Sequence, residues 1–196
     1  MTSLRSFVTL DQVQPQLLSY LGSSMRGFLP RKGDAALVVE IAPGLDIEWL
    51  TDIALKNVEV KPGVLVVERQ FGYLELHSQS PAAVNSAASA ILDALGLAPV
   101  DAPKPEILAS RVIDRVDDLH AFLVNRNKSG SMLLPQQSMF LLEVAPAANA
   151  LLAANEAEKA ADITLIDCRF MGASGRLYVS GTESAVRAAE SAAIAC

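Results

Sequence analysis

The sequence predicts an α+β fold built from two copies of one domain, each a small antiparallel sheet with helices packed on one face. Two observations lead to this prediction. The stretch Glu40–Pro43 (EIAP) recurs as Glu143–Pro146 (EVAP), 103 positions later, and Asp11 aligns with Asp114 at the same offset. The order of local patterns is also the same in both halves: strand, helix, hairpin, helix.

Each half shows an apolar run that ends before a proline and is followed by a helical pattern. The runs Ala35–Ala42 and Ser138–Ala145 are rich in β-forming residues and predict strands. Residues 45–57 and 149–161 then place apolar or alanine residues at helical spacing. Together these segments predict a strand and a helix in each copy.

A hairpin is predicted next in each half. An apolar β run is followed by an alternating segment, which is typical of two paired strands. The β runs are residues 63–70 and 163–170, and the alternating segments are residues 72–78 and 175–181. The two parts meet at Gly72 and Gly172, and this alignment requires a short insertion in the first copy.

A helix closes each half. Ser80 followed by Pro81 is an N-cap with a proline at the first helical position, and Thr182 followed by Glu183 is an N-cap with an early acid. Residues 95–107 lie between the halves, hold three prolines and lack helical periodicity, which is typical of a linker. We therefore predict two domains, residues 1–103 and 104–196.

The composition favours a protein with extensive buried surface. Of the 196 residues, 51% are hydrophobic and only 19% are charged, so the chain does not have the composition of a disordered protein. The mean hydropathy of +0.31 comes from aliphatic residues, of which alanine is the most frequent, rather than from aromatic residues. Small side chains suit broad subunit interfaces. A compositional bias towards alanine without any interface would give the same mean hydropathy.

Several classes of protein are not favoured. No apolar run approaches the length of a membrane span, and the N-terminus lacks the pattern of a signal peptide. Two cysteines make no disulfide framework, which favours the cytoplasm. A net charge of −6 without a long basic run argues against a nucleic-acid partner.

No pattern typical of an enzyme stands out. His77 and His120 stand apart without metal-ligand spacing, and no nucleotide-binding or metalloprotease motif is present. Cys168 has no evident histidine partner, so we expect it to pack as a small apolar residue. We predict no metal, no cofactor and no catalytic residues.

Glu68 and Arg69 are adjacent and opposite in charge at the end of the β run. Neighbouring residues on a strand point to opposite faces, so one could line an opening while the other packs back. Around a symmetry axis such a pair could adopt two arrangements, as a gate requires. The residues taken alone favour the simpler alternative, a surface ion pair.

Other charged residues leave two interpretations open. Arg126 and Lys128 lie in the polar stretch Asn125–Ser131, which could contact an anion or be an ordinary loop. Lys56 and Lys159 occupy equivalent positions in the two copies. They could reach a neighbouring molecule or simply stabilise the end of a helix.

The repeated unit resembles the bacterial microcompartment shell domain. The EIAP and EVAP strand ends, the lysine contexts ALKNV and AEKAA, the glycine-containing loops and the alanine-rich helices carry the resemblance. Residues 1–34 and 104–137 precede the first predicted strand of each copy, which resembles the circularly permuted form of the domain in tandem. The stretches VVERQFG and NRNKSGSM further resemble carboxysome shell proteins that form gated, double-stacked trimers.

The resemblance implies a non-enzymatic building block of a shell facet in the bacterial cytoplasm. Three chains would form a pseudohexamer that can stack in pairs, contact other shell proteins and pass small anionic metabolites. It implies that Glu68 and Arg69 are the pore gate and that Lys56 and Lys159 are facet-edge lysines. The implied pore-loop residues are Gln70, Phe71, Gly72, Arg169, Phe170 and Gly172.

Three alternatives remain at this point. The chain could be a shell protein of a catabolic microcompartment rather than of a carboxysome. It could be a regulatory trimer with the same α+β sheets that binds a small ligand. It could also be an enzyme whose active site lies at the interface of the two repeats.

Overall fold

The computed structural model describes residues 2–24 and 26–196. The described part holds eight strands and six α-helices, in the order given by their numbers. The strands are β1 Ser3–Leu10, β2 Ala35–Ala42, β3 Lys61–Glu68, β4 Phe71–Ser78, β5 Glu106–Ile113, β6 Ser138–Ala145, β7 Thr164–Arg169 and β8 Gly175–Gly181. The helices are α1 Pro15–Ser24, α2 Asp46–Asn57, α3 Pro81–Leu95, α4 Asp118–Asn127, α5 Asn149–Ala160 and α6 Glu183–Ala195.

The strands form two antiparallel sheets of four. The first has the order β1-β2-β4-β3 and the second the order β5-β6-β8-β7. Both match the predicted α+β class, and the predicted strands, helices and hairpins are all present. Residues 1–34 and 104–137, which carry no predicted element, supply an edge strand and a helix to each copy.

The register of the sheets shows that the repeat has no insertion. Ile41 pairs with Gly72 in the first sheet, and Val144 pairs with Gly175 in the second, so both pairs keep the offset of 103 residues. Gly72 is therefore the counterpart of Gly175. The predicted equivalence of Gly72 with Gly172 is wrong, because local sequence similarity shifted that alignment by three positions.

The helix ends follow the predicted capping residues. Ser80 accepts a hydrogen bond from the Ala83 N–H, 3.3 Å away, and Pro81 begins α3. Thr182 does the same for Ala185, at 3.3 Å, at the start of α6. These side chains satisfy backbone donors that a helix leaves unpaired at its N-terminus.

The chain divides into two compact units. Unit 1 comprises Met1–Val13 and Ser24–Pro105, and unit 2 comprises Gln14–Ser23 and Glu106–Cys196. Helix α1 therefore belongs to unit 2, although its sequence lies in the first repeat. The predicted boundary at residue 103 stays a prediction.

In unit 1, helices α2 and α3 cover the sheet. Ile47 and Leu50 of α2 and Ile91 of α3 are fully buried against Leu37 and Leu74 of the central strands. Burying such a side chain stabilises the folded state by about 1.5–3 kcal/mol. The apolar residues that the helical and strand patterns of the sequence place on one face therefore form a single core in unit 1.

In unit 2, a smaller cluster lies beneath α4. Ala121 of α4 packs with Met139 of β6 and Ile166 of β7, together with Val116 and Leu133, and all five are buried. Only one face of α4 takes part in this cluster. Val124 packs partly buried against it, whereas Leu119, Phe122 and Leu123 are exposed.

Candidate functional site

The β3–β4 turn carries the charged pair. Glu68 ends β3 and pairs with Phe71, which leaves Arg69 and Gln70 as a two-residue turn. Arg69 has a φ of 56°, as the first central position of a type II′ turn requires. Its Nε lies 3.8 Å from Glu68 Oε1, and its side chain is 89% exposed.

This geometry differs from the expectation of two strand residues that point to opposite faces. Arg69 lies in the turn, so the two side chains of one chain reach each other at the hairpin tip. An ion pair this exposed contributes about 0–1 kcal/mol. The pair can therefore separate and re-form with other partners at little cost in free energy.

Two of the predicted loop residues lie in strand β4 and are buried. The Arg5 guanidinium lies 3.9 Å from the centre of the Phe71 ring and donates from Nε to Glu40 Oε1 at 2.8 Å. Gly72 lies against Gly44, where a side chain would collide with the backbone. Phe71 and Gly72 thus support the turn from within the sheet, and only Gln70 accompanies the charged pair at the tip.

The β7–β8 loop, residues 170–174, is held more firmly. Arg169, at the end of β7, donates to Asp167 Oδ2 at 3.0 Å and to the Asn127 carbonyl at 2.9 Å. Phe170 is buried, and Gly172 has a φ of 113°, which suits glycine. Of the predicted loop residues in unit 2, Gly172 alone lies within the loop without being buried.

Glu143 fixes the other end of the same loop. Ser174 donates to Glu143 Oε1 at 2.5 Å, and Arg176 Nε lies 3.3 Å from that oxygen. The hydrogen bond from Ser174, followed by that from Arg176, lowers the pKa of Glu143. Unit 2 therefore has an anchored loop where unit 1 has a short turn with an exposed ion pair.

The two predicted edge lysines lie in the last turns of α2 and α5. Lys56 pairs with Asp52 at 2.5 Å, and Lys159 pairs with Glu156 at 2.9 Å. The Lys56 side chain is 73% exposed, whereas that of Lys159 is 29% exposed. Lys56 is thus the more available of the two for contacts outside the chain.

The predicted anion-contacting residues are separated. Lys128 lines a cavity of about 530 Å³ in unit 2, together with Arg169, Arg176 and Tyr178. Its Nζ donates to the Gly130 carbonyl at 2.7 Å. Arg126 does not line this cavity, and its guanidinium lies 5.8 Å from the centre of the Phe122 ring. The structure therefore makes Lys128 a better candidate than Arg126 for contact with an anion.

A buried polar pair in unit 1 is absent from the predicted site. His77 Nδ1 lies 3.1 Å from Glu75 Oε1, and the Gly63 N–H donates to Glu75 Oε2 at 3.1 Å. Burial raises the pKa of Glu75. The available signal was the spacing of two along β4, which places both residues on one face of the strand.

Cys168 packs as predicted. It is fully buried, and its Sγ donates to the Ala150 carbonyl at 3.5 Å. Burial raises the pKa of its thiol well above the ordinary value, so the reactive thiolate is disfavoured. Within residues 2–24 and 26–196, no three histidine, cysteine or acidic side chains are grouped as a metal would need. In the same residues, no helix combines the length and the apolarity of a membrane span.

Family comparisons cover most of the chain. The model of the CsoS1D N-terminal domain matches residues 4–101, and the model of the BMC domain matches residues 138–196. The carboxysome shell protein CcmP of Synechococcus elongatus is 45% identical over 192 residues, which cover 98% of this chain and 90% of the relative.

Solved structures agree with these matches. The fused permuted hexameric shell protein MSM0275 of the RMM microcompartment is 60% identical, with a TM-score of 0.97 over 98% of this chain and 95% of the other. The double ringed trimeric shell protein MSM0271 of that microcompartment is 40% identical, with a TM-score of 0.94 over 100% and 95% of the two chains. The chain therefore belongs to the family of tandem, permuted bacterial microcompartment shell proteins that includes CcmP and CsoS1D.

Proposed function

We propose that this protein is a non-enzymatic component of a microcompartment shell facet, assembled from three chains. The similarity along nearly the whole length to tandem shell proteins carries this proposal. Each chain supplies two units built on one repeated plan, so three chains supply six. Closed rings of this kind are a common outcome of heterologous contacts between identical chains.

The gate of the central pore is assigned to Glu68 and Arg69. The pair occurs once per chain, so a ring of three chains carries three copies. Its exposure at the tip of a short turn supports this assignment, since the side chains can exchange partners between chains. In unit 2 the equivalent loop is anchored by Glu143 and Arg169, which suits a fixed part of the rim.

Small anionic metabolites are the proposed cargo. Three Arg69 guanidinium groups around one axis would create a positive potential when they turn towards the opening. Such a potential raises the local concentration of anions and their rate of entry. Lys128 lines a separate cavity in unit 2 and is a second candidate contact for an anion.

Stacking of two rings is part of the proposal. A structural relative at 40% identity is described as a double ringed trimeric shell protein. Two stacked rings would enclose a space between two gates. In solution the assembly would then have the mass of six chains rather than three.

The carboxysome is the proposed compartment, because the curated relatives at about 45% identity are carboxysome shell proteins. A second candidate is the shell of another microcompartment. The 60% identity to a shell protein of the RMM microcompartment favours this alternative. A fluorescent fusion expressed in hosts that make each compartment would distinguish them by where the signal concentrates.

The gate is tested with Glu68→Ala combined with Arg69→Ala. Light scattering should give the same mass as for the wild type, in multiples of three chains. Electron cryo-microscopy of the assembled variant should show an open axis in every ring, because no side chain remains to close it. The control, Glu183→Ala with Arg187→Ala, removes exposed ion pairs elsewhere on the surface, since Arg187 pairs with both Glu183 and Asp114.

Two outcomes would contradict this proposal. A wild-type protein that stays monomeric at micromolar concentration would exclude the shell assembly. A double variant that still forms rings with a closed axis would show that other residues form the gate.

A further inference from the structure

Helix α1 is seated on unit 2 through polar contacts. Its first N–H groups, of Gln16 and Leu17, donate to the Glu158 carboxylate of α5 at 2.7 and 3.0 Å. The Gln16 side chain donates to the Ile163 carbonyl at 2.6 Å and accepts from the Leu165 N–H at 2.9 Å. It therefore pairs with backbone groups at the start of β7.

A second polar contact holds the middle of α1. The Tyr20 hydroxyl donates to Asp167 Oδ1 at 2.9 Å, and both residues are buried. Burial raises the pKa of Tyr20. Leu17, on the same face of the helix, is 0% exposed. We call this surface of unit 2, formed by Glu158, Leu165 and Asp167, the seat of α1.

The counterpart of α1 in the second repeat is α4, and its corresponding face is not covered. At the offset of 103 residues, Gln16 corresponds to Leu119, Leu17 to His120 and Tyr20 to Leu123. Leu119 is 74% exposed and Leu123 is 57% exposed, whereas Tyr20 is 7% exposed. The apolar face of α4 is therefore exposed to solvent, whereas the corresponding face of α1 is buried.

The counterpart of the seat lies on unit 1 and is open as well. Glu158 corresponds to Leu55, Leu165 to Pro62 and Asp167 to Val64. Leu55 is 41% exposed and Pro62 is half-buried. Val64 is already buried, so Leu55 and Pro62 form most of the available surface.

The exposed face of α4 and its counterpart surface on unit 1 both lack the polar groups through which α1 contacts its seat. Where the Gln16 amide meets the Leu165 N–H, the second repeat has Leu119 and unit 1 has Pro62, which has no N–H to offer. Where Tyr20 meets Asp167, the counterparts are Leu123 and Val64. At these two positions the polar partnership is replaced on both sides, so neither position would bury a polar side chain without a partner.

The N-terminal cap of α4 also differs from that of α1 in a way that suits an apolar partner surface. Glu158 caps α1 from another element, but its counterpart Leu55 has no acceptor in its side chain. In α4 the N-terminal donors are satisfied locally, since Asp117 Oδ1 accepts from Leu119 N–H at 2.9 Å and His120 N–H at 3.4 Å. Helix α4 therefore needs no carboxylate from the surface on which it would lie.

We propose that α4 of one chain docks on unit 1 of a second copy, with Leu119 and Leu123 against Leu55 and Pro62. A second copy is the occupant because these surfaces are open within one chain and repeat a contact that the fold already makes. The matched side chains carry no charge, so their burial desolvates no ion. The proposal rests on the shell assembly proposed above and assigns its subunit contact, which would close a ring when each chain repeats it.

The test is Leu119→Glu with Leu123→Glu, measured by light scattering at micromolar concentration. The mass should fall from that of three or six chains to that of one, because two carboxylates would be buried without partners. Phe122→Glu is the matched control, since its counterpart Ser19 is exposed and donates to the Pro15 carbonyl of its own helix. The control should keep assemblies in multiples of three chains.

A second measurement covers the case in which the double variant fails to fold. Leu55→Cys with Leu119→Cys, in a Cys196→Ser background, should form disulfides between chains on oxidation. Non-reducing gels should then show covalent trimers, and each single cysteine variant should show none.

The outcomes separate this inference from the proposed function. Wild-type trimers together with trimers of the folded double variant, Leu119→Glu with Leu123→Glu, would overturn the docking and leave the shell assembly intact. Trimers of the two-cysteine variant without covalent links would overturn the docking as well. A monomeric wild type would instead overturn the proposed function.

Discussion

Arg69 adopts a left-handed backbone conformation that a residue with a side chain rarely takes. Its φ of 56° follows from the two-residue turn between β3 and β4, where the strand twist selects positive φ at the first turn position. Glycine would meet this requirement without steric cost. The arginine therefore occupies this position at some expense in stability, as is expected of a functional side chain.

This conformation gives a prediction at the residue scale. Arg69→Gly should leave the protein more stable than Arg69→Ala by about 1 kcal/mol, because only alanine retains the clash of Cβ in the left-handed region. Both variants lose the same charge, so each is the control of the other. Urea denaturation measures the difference, and an equal or greater stability of the alanine variant would exclude this turn geometry.

Glu75 is a second residue whose position in the fold lowers stability, because its carboxyl group is buried. Burial raises its pKa, while His77 and the Gly63 N–H lower it and Asp34 raises it. The folded protein thus keeps the proton at pH values where the unfolded chain has lost it. Stability contributed by the protonated carboxyl is present at low pH and falls as the pH rises from the ordinary pKa of a glutamate to the raised value.

We therefore expect Glu75→Gln to remove this loss of stability with rising pH. The difference in unfolding free energy between variant and wild type should move in favour of the variant as the pH rises from about 4 to about 8. The change should be about 1.4 kcal/mol for each pH unit between the unfolded and folded pKa values. Urea denaturation at several pH values measures it, with Glu48→Gln on the exposed side of α2 as control. Parallel pH profiles of Glu75→Gln and the wild type would contradict the prediction.

At the scale of elements, the close approach of helix and sheet depends on a repeated glycine. Gly72 in β4 faces Gly44 and Ile47, and its counterpart Gly175 in β8 faces Ala147 and Ala150. In both cases a Cβ would lie well inside the contact distance of a backbone carbonyl oxygen. The glycines thus fix how closely each sheet approaches the start of α2 or α5.

Gly72→Ala should lower the unfolding free energy by about 1–3 kcal/mol, as overpacking does when backbone atoms must move. Gly181→Ala is a suitable control, because the nearest atom to its Cβ would be the Asp162 carbonyl oxygen at 3.5 Å, an ordinary contact. Thermal and urea denaturation measure both effects. If the two variants were equally stable, the close packing at Gly72 would be wrong.

At the scale of the whole molecule, duplication has produced two similar units with different surfaces. Lys56 and Lys159 keep the same place in α2 and α5, yet only Lys56 extends largely into water. Glu68 and Arg69 occur in unit 1 alone. A ring of three chains would therefore have threefold rather than sixfold character at its axis and along its edges.

The proposed facet-edge role of Lys56 predicts that ring formation and facet formation can be separated. Lys56→Glu should leave the mass in solution unchanged and abolish the extended sheets that we expect the concentrated wild-type protein to form, as checked by electron microscopy. The reason is that a carboxylate would replace the ammonium that, in this proposal, contacts a neighbouring ring. Lys104→Glu, an exposed site in the linker, should retain the sheets. Sheets formed by Lys56→Glu would refute the edge assignment.

The sequence by itself determined the repeat, the fold class, the predicted strands and helices and the family. These features depend on local signals: β-rich runs, helical spacing and caps such as Ser80 and Thr182. It also supplied the charged pair at residues 68 and 69. Each of these can be recognised from residues that are close together in the chain.

Only the tertiary structure decided which residues correspond across the repeat and which unit each element joins. Gly72 matches Gly175 because strand register aligns them, whereas local similarity had suggested Gly172. Helix α1 belongs to unit 2 because Gln16 and Tyr20 bond to residues 142 to 149 positions away along the chain. Contacts at such separations leave no local periodicity, so they become visible only when the chain is folded.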